Sequence, residues 1–244
     1  MSQTFVFDIE TVPLPFDESF DDVQKEYLLR GATTEEEKEN LKRFGALNPL
    51  LGRVVCIGLY VPEAQKGVAL SLGPEESEDT VEYEGHSVKY KTFIDESAML
   101  SHFWQGLEDS RYSAFVTFNG RNFDCPFLML RSAVLGVRPS VNMMAGTRWS
   151  FRVSGKRSEA DHIDLADKLV FGAGFDRNGA TRKFNLDFYT KSFGIRSPKA
   201  EGVTGYEVPE YFAEGKIREI AEYCMRDVVA TAELYDRWNA LLRF

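Results

Sequence analysis

Two acidic residues, Asp8 and Glu10, interrupt an apolar run near the start of the chain, in the stretch FVFDIET. Side chains alternate along a β-strand, so both carboxylates share one face while Phe7 and Ile9 share the other. An edge strand with a solvated acidic face is one interpretation. A central strand is the other, and there the desolvated pair would repel unless a cation neutralised it. The apolar neighbours favour a site for Mg²⁺ or Mn²⁺, which take oxygen ligands.

A second acidic position, Asp124, lies in TFNGRNFDCPFLMLR, between a glycine-containing loop and the start of an apolar segment. Aspartate is a favoured helix N-cap and Pro126 suits a first helical turn. Capping of a helix is therefore as well supported by the local sequence as a functional role for Asp124. The loop also contains Asn119, Gly120 and Asn122 at the carboxyl end of a predicted strand. Ligands of α/β proteins bind at such strand ends, which favours a functional role for Asp124.

The third stretch, IAEYCMRDVVAT, places Tyr223 four residues before Asp227. On a helix this spacing puts both side chains on one face, about a turn apart. A core tyrosine and a surface ion pair with Arg226 would also explain them. However, Cys224 and Val228 belong to the apolar stripe of the same helix, so the pair lies at the border of the buried face, where an ionised aspartate needs a partner.

One site with two metal ions would explain all three stretches. Two cations roughly 3.5 to 4 Å apart can hold the attacking water and the leaving oxygen of an in-line phosphoryl displacement, and they need several carboxylates. Tyr223 would orient the water by a hydrogen bond. A tyrosine with a pKa near 10 is a poor base at neutral pH, so the metals must supply most of the activation.

The elements that must position these residues follow from hydrophobic periodicity and turn residues. The sequence predicts strands at 4–9, 53–61, 68–73, 81–93 and 113–120, and helices at 20–30, 34–44, 95–109, 125–136, 183–193 and 214–242. HIDL at 162–165 is a short strand or a helix entry. We expect the strands between 53 and 93 to form an antiparallel meander, and the whole chain to be one α/β domain.

Charge along the chain is uneven. The net charge of −9 counts against a nucleic-acid partner, yet residues 17–39 hold nine acids against three bases and residues 146–200 hold eleven bases against six acids. A local basic surface is therefore compatible with the composition. Two interpretations of four basic residues in this surface are equally favoured: they contact the phosphates of a nucleic acid, or they form a solvated loop. These residues are Arg148, Arg152, Lys156 and Arg157.

Three dispersed cysteines without a CxxC pair argue against a disulfide framework and against a zinc ribbon, and packing is their expected role. No apolar run is long enough to span a membrane, and Asp8 interrupts the first apolar stretch before it could serve as a signal peptide. We therefore expect a cytoplasmic protein without a membrane partner.

The three stretches, in this order, resemble the motifs of the DnaQ-like 3′–5′ exonucleases of the ribonuclease H-like fold. FDIET is similar to the first motif, FNGRNFDCPFL to the second and YCMRDVVAT to the third. Tyrosine stands four residues before the last aspartate and Glu222 precedes it, which resembles the tyrosine (DEDDy) branch rather than the histidine branch. HIDL and SPKAEGVTGYEV look most like the exonuclease domains of family B DNA polymerases, here without a polymerase domain.

The resemblance implies an α/β, ribonuclease H-like fold with a mixed central sheet of about five strands flanked by helices. It implies a single 3′–5′ exonuclease domain over residues 1–244, which departs from the family pattern in an acidic helical insertion at about 17–49. The expected activity is metal-dependent removal of nucleotides from single-stranded 3′ ends, with DNA favoured over RNA. An exoribonuclease and a catalytically silent nucleic-acid-binding module of the same fold are the alternatives.

Site residues are carried over from the resemblance motif by motif. The metal-binding carboxylates would hold two divalent cations, Mg or Mn, and Tyr223 would position water; these carboxylates are Asp8, Glu10, Asp124 and Asp227. Asn119 and Phe123 would hold the 3′-terminal nucleotide, with the backbone of Thr11 near its sugar. Apart from the resemblance, the aromatic rings of Phe123 and Phe151 would stack on bases without reading their sequence. Asp164 and Lys199 belong to recurring stretches, but no chemical role follows for them beyond substrate contact or support of the site.

Overall fold

A mixed β-sheet forms the centre of the computed structural model, which describes residues 3–83, 85–109, 112–144, 161–171, 181–198 and 204–243. Within these residues the sheet has seven strands. They are β1 (Gln3–Pro13), β2 (Gly52–Val61), β3 (Lys66–Leu72), β4 (Ser77–Tyr83), β5 (His86–Phe93), β6 (Tyr112–Thr117) and β7 (Asp161–Asp164). Their spatial order is β4-β5-β3-β2-β1-β6-β7.

Helices cover this sheet, as the predicted α/β class requires. They are α1 (Phe16–Ser19), α2 (Asp22–Leu28), α3 (Glu35–Phe44), α4 (Glu96–Asp109), α5 (Asp124–Val134), α6 (Leu165–Lys168), α7 (Leu186–Ser192), α8 (Val208–Ala213) and α9 (Ile217–Leu241). The predicted helices all exist. The last one starts later than residue 214, because Gly215 adopts a positive φ of 74° and separates α8 from α9.

The fold class is confirmed, but the sheet is larger than the expected five strands and its edge is arranged differently. β2–β3 and β4–β5 pair antiparallel, whereas β3 and β5 pair parallel, so the predicted antiparallel meander is wrong. Burial explains the order: β5 buries Val88, Tyr90 and Phe93, while β4 exposes its acidic side chains. A strand as polar as β4 fits only the edge of the sheet.

Strand β1 lies in the interior of the sheet, between the antiparallel β2 and the parallel β6. Phe5, Phe7 and Ile9 are buried, and the Phe7 ring contacts Phe115 edge-on with the ring centroids 6.2 Å apart, a favourable arrangement for two aromatic rings. The interpretation of β1 as an edge strand is therefore wrong. Its two carboxylates belong to a strand that is covered on both faces.

Helix α9 lies unusually close to the sheet because two glycines stand beneath it. A Cβ at Gly58 would come within 2.8 Å of the Cys224 sulfur and 2.9 Å of a Val228 methyl group. A Cβ at Gly67 would come within 2.6 Å of the Met225 methyl group. Because these glycines have no side chains, α9 can pack directly on β2 and β3. It also comes close to β1, since Gly58 is the register partner of Asp8.

An acidic segment, residues 16–49, contains α1, α2 and α3 and connects β1 to β2. The stretch TTEEEKENL predicts a helix start with Thr33 or Thr34 as its cap. Thr34 caps α3, and its hydroxyl and the Glu37 carboxylate form a reciprocal capping box. The Thr11 hydroxyl donates to the Ala46 carbonyl at 2.7 Å, which fastens the segment to β1. Among the described helices, none combines the length and apolarity needed to cross a bilayer.

Candidate active site

Asp8 and Glu10 lie together beneath α9, as strand alternation predicts. Ligand atoms of Asp8, Glu10 and Cys224 lie within 4.8 Å of one another. Two full charges 4.8 Å apart repel by about 3 kcal/mol at an effective dielectric constant near 20. Total folding stabilities are only about 5–15 kcal/mol, so an ionised pair requires compensation.

Asp124 joins this pair rather than capping its helix. It is the first residue of α5, and the N-cap position is occupied by Phe123, which makes no side-chain cap hydrogen bond. Asp124 Oδ1 instead accepts a hydrogen bond from the Ile9 amide at 3.1 Å. Its carboxyl group also hydrogen-bonds the Asp8 side chain. The capping interpretation of Asp124 is thus wrong, and the side chain connects α5 to the acidic strand.

Tyr223 and Asp227 face the same cluster from α9. The phenol of Tyr223 is buried and donates a hydrogen bond to the Asp227 carboxylate. Burial, together with three nearby carboxylates, raises the pKa of Tyr223 far above its usual value near 10. The phenol therefore keeps its proton at neutral pH and acts as a hydrogen-bonding group, not as a base.

The electrostatics of the cluster follow from burial and crowding. Burial is the largest cause of the raised pKa of Asp8, followed by the charges of its acidic neighbours. The pKa of Glu10 is raised by burial and then by Asp227. Burial raises the pKa of Asp124 to about 7. Without a cation the cluster therefore retains protons near neutral pH, and divalent cations fit its oxygen donors.

Cys224 adjoins the cluster without adding a thiolate to it. Burial raises the pKa of this thiol, and the thiol points to the Asp8 carbonyl oxygen with the sulfur 3.6 Å away. A protonated thiol is a poor metal ligand. The donor set consists of carboxylate oxygens, which suits hard cations such as Mg²⁺ or Mn²⁺ better than soft ones.

A cleft of about 410 Å³ opens beside the cluster. It brings together four of the residues singled out in the sequence, namely Asp8, Asn119, Tyr223 and Asp227. The two other predicted substrate contacts are placed differently, and neither is among the described residues that line the cleft. The Thr11 hydroxyl is bound to Ala46, and the half-buried Phe123 ring packs on Phe127 with centroids 5.5 Å apart.

Asp164 has a clear structural role that the sequence did not reveal. Its two carboxylate oxygens accept hydrogen bonds from the amides of Asn119 at 2.9 Å and Arg121 at 3.0 Å. It also caps α6 through the Ala166 amide at 3.0 Å. Asn119 has a positive φ of 67°, a strained conformation for a residue other than glycine. Asp164 therefore holds the loop that presents Asn119 to the cleft.

Three further residues that line the cleft were not predicted from the sequence. These residues are Lys183, Phe184 and Asn185, and Lys183 forms an ion pair with Asp167 at 2.5 Å. The available signal was the alternation of basic and aromatic residues in RKFNLDFY, residues 182–189. The predicted basic and aromatic contacts of the preceding region lie outside the described residues: Arg148, Phe151, Arg152, Lys156 and Arg157, together with Lys199.

Comparison with known proteins agrees with this geometry. Residues 53–242 match a family described as "Predicted 3'-5' exonuclease related to the exonuclease domain of PolB". The chain belongs to this family of predicted exonucleases. The matched range contains Asp124, Tyr223 and Asp227 and begins after β1. The resemblance to polymerase exonuclease domains that the motifs suggested is thereby confirmed.

The curated relatives are DNA polymerases. The chain is 27% identical over 182 residues to a DNA polymerase of Desulfurococcus sp. (strain Tok), covering 68% of this chain and 21% of the relative. It is 24% identical over 181 residues to DNA polymerase 1 of Pyrococcus abyssi, again covering 68% of this chain and 21% of the relative. The chain thus spans about a fifth of the length of these relatives.

A solved structure shares the fold. The family B DNA polymerase of the hyperthermophilic archaeon Pyrobaculum calidifontis superposes with a TM-score of 0.57 at 19% sequence identity. The superposition covers 98% of this chain and 25% of that protein. The ribonuclease H-like architecture expected from the motifs is therefore confirmed.

Proposed function

We propose that the protein is a metal-dependent 3′–5′ exonuclease that hydrolyses phosphodiester bonds at single-stranded 3′ ends, with DNA preferred over RNA. The observation that supports this proposal most strongly is the convergence of four carboxylates and Tyr223 beside one cleft. Family membership supports the reaction class. The preference for DNA rests on the relatives, which are DNA polymerases.

In this proposal two divalent cations, Mg²⁺ or Mn²⁺, are held by Asp8, Glu10, Asp124 and Asp227. When bound, such cations stabilise the charge that develops on the phosphate and on the leaving oxygen during phosphodiester hydrolysis. The raised pKa values of Asp8 and Glu10 support the assignment, because a cation is what allows the buried cluster to ionise fully.

The remaining side chains bind and orient. Tyr223 stays protonated, and its hydroxyl, fixed by Asp227, hydrogen-bonds a water molecule aligned with the terminal phosphorus. Attack by that water releases the 3′ oxygen of the preceding nucleotide and yields a nucleoside 5′-monophosphate. Asn119, held by Asp164, contacts the terminal nucleotide. Phe123 and the Thr11 backbone remain proposed contacts of the same terminal nucleotide.

The whole chain, in this proposal, is one exonuclease domain in which residues 17–49 are an acidic helical insertion. The shared fold over 98% of the chain supports the single domain.

The test uses purified protein and single strands labelled at either end, with Mg²⁺ or Mn²⁺. We expect release of mononucleotides from the 3′ end of DNA, slower release from matched RNA, and none in EDTA. Release from the 5′ end would contradict the polarity. Binding of single strands without hydrolysis under any of these metal conditions would identify a silent binding module instead.

A further inference from the structure

Two phenylalanines beside the cleft form a stacked pair. The Phe184 and Phe188 rings are nearly parallel, with centroids 4.1 Å apart and an angle of 12° between their planes. Phe184 lines the cleft together with Asp8 and Tyr223, whereas half of the Phe188 surface is exposed to solvent. The two stacked rings cover each other's inner faces, so the half-exposed Phe188 ring at the mouth of the stack is the one that offers surface to a base.

A cation extends this stack. The guanidinium carbon of Arg182 lies 4.5 Å from the centroid of the Phe184 ring, a cation–π distance. The Arg182 side chain is exposed, so its charge remains available to an anion in solution. Lys183, whose ammonium group pairs with Asp167, lines the same cleft. Flat rings with flanking cations are the combination that binds a single strand, since bases stack on the rings and phosphates meet the cations.

The local structure holds the stack in place. The Tyr189 hydroxyl donates to the Arg182 carbonyl at 3.1 Å, and the Tyr189 ring contacts Phe184 edge-on with centroids 6.2 Å apart. The Asn185 side chain caps α7 through the Phe188 amide at 2.9 Å. A preorganised platform loses little conformational entropy on binding.

We propose that Arg182, Phe184 and Phe188 form a stacking platform for a nucleobase of the single strand, upstream of the nucleotide that is removed. This assignment rests on the proposed exonuclease function. Phe rings carry no hydrogen-bonding group, so the platform is tolerant of base identity and equally suited to DNA and RNA. Stacking of this kind adds affinity that does not depend on the net charge of the protein, which is −9.

The first experiment measures binding of fluorescent single strands whose 3′ linkages are phosphorothioates, with the full chain in Mg²⁺. Phe188→Ala should weaken binding by roughly 5- to 150-fold, the range measured for loss of one base–aromatic stack. Phe188→Trp should retain tight binding. Phe44→Ala is the matched control, because Phe44 is a 62% exposed phenylalanine on the acidic segment. Equal affinity of Phe188→Ala and the wild type would overturn the platform.

A second experiment distinguishes stacking from a general loss of structure. Strands carrying one abasic position at each of the last six nucleotides are compared on the wild type and on Phe188→Ala. We expect the wild type to lose affinity at one position, and Phe188→Ala to show no further loss at that position. Equal additional loss at every position would contradict a specific stack.

The outcomes separate this proposal from the exonuclease proposal. If the wild type hydrolyses 3′ ends while Phe188→Ala binds normally, the platform is wrong and the activity stands. If the wild type binds with the predicted abasic profile but never hydrolyses, the platform stands as a binding site and the exonuclease proposal fails. DNA and RNA strands of the same sequence should both bind Phe188→Ala more weakly than the wild type, and to a similar extent.

Discussion

Two acidic regions of this chain use the same side chains in opposite environments. In the acidic segment, the pKa of Glu35 is lowered by a hydrogen bond from Lys38, and that of Glu37 by hydrogen bonds from Thr33 and Thr34. In the carboxylate cluster, burial raises the pKa values of Asp8 and Glu10 instead. The ionised form of the carboxylates is stabilised in the acidic segment and destabilised in the carboxylate cluster.

The difference shows that the number of acids in a region does not identify a site. The acidic segment holds more acids than the carboxylate cluster, and they lie close together in the sequence. Lysines, backbone amides and water nevertheless compensate their negative charges. The cluster has few acids, taken from three elements, and burial and their mutual repulsion raise the pKa values of Asp8 and Glu10. A demand for a cation arises from this shared burial, which sequence composition does not report.

The strongest test of this contrast replaces one acid in each region. Asp8→Asn should lower kcat by at least about 10²–10³-fold, the scale set by loss of one group that stabilises the transition state. It should also raise the melting temperature of the metal-free protein, because asparagine avoids the cost of burying an acid that must either take up a proton or repel its neighbours. Glu39→Gln, on the exposed face of α3, is the control and should change neither quantity. Full turnover of Asp8→Asn would show that the cluster is not the active site.

Metal removal should affect only the cluster. Because the pKa of Asp124 in the folded protein is about 7, against 3.8 unperturbed, the folded state binds more protons than the unfolded state between these pH values. The contribution of Asp124 to the stability of the metal-free protein should therefore fall as pH rises from about 4 to 7. Mg²⁺ at about 100 times its dissociation constant should add about 2.7 kcal/mol at neutral pH.

Calorimetry or thermal melts in EDTA and in Mg²⁺ at several pH values would measure this effect. His162, whose pKa burial lowers to about 3, contributes equally with and without metal. A difference between the Mg²⁺ and EDTA stabilities that does not grow as pH rises over this range would therefore contradict the buried, proton-sharing cluster.

A smaller effect is expected for the carboxylate that supports the site without belonging to the cluster. Asp164→Asn keeps the size of the side chain but replaces one acceptor oxygen by a donor, leaving at least one of the loop amides unpaired. The cost should be about 1–3 kcal/mol. We expect faster amide hydrogen exchange at Asn119 and Arg121 and a raised KM. Unchanged exchange at these two amides would refute the assigned role.

The smallest effect should come from the acidic segment. Thr34→Ala removes the N-cap of α3 and should destabilise that helix by about 1 kcal/mol. Exonuclease activity should stay within experimental error, because the contacts of this cap are local. Loss of turnover in Thr34→Ala would show that the acidic segment contributes to catalysis, and would contradict its separation from the carboxylate cluster.

Local patterns predicted much of this molecule, because they depend on neighbouring residues. Alternation along FVFDIET gave the shared face of Asp8 and Glu10, and the four-residue spacing of Tyr223 and Asp227 gave their common helix face. The helix start at Thr33 or Thr34 was equally readable.

Features that depend on long-range pairing were not predictable from local patterns. β4 lies at the edge of the sheet and β5 takes the place beside β3, because the strands compete for the interior of the sheet. The role of Asp164 depends on the parallel pairing of β6 and β7, which aligns Thr117 with Asp164 and brings the loop amides within reach. The stacking of Phe184 on Phe188 depends on the conformation at the start of α7.

Gly58 contributes no functional group, yet it bears on how related sequences should be compared. Tyr223 and Asp227 each precede a residue whose side chain occupies the space above Gly58. A larger residue there would lift α9 and widen the distance between its carboxylate and those of β1. A relative can therefore retain all four acids and the tyrosine and still lose their convergence. The residue aligned with Gly58 should be inspected before activity is inferred from the motifs alone.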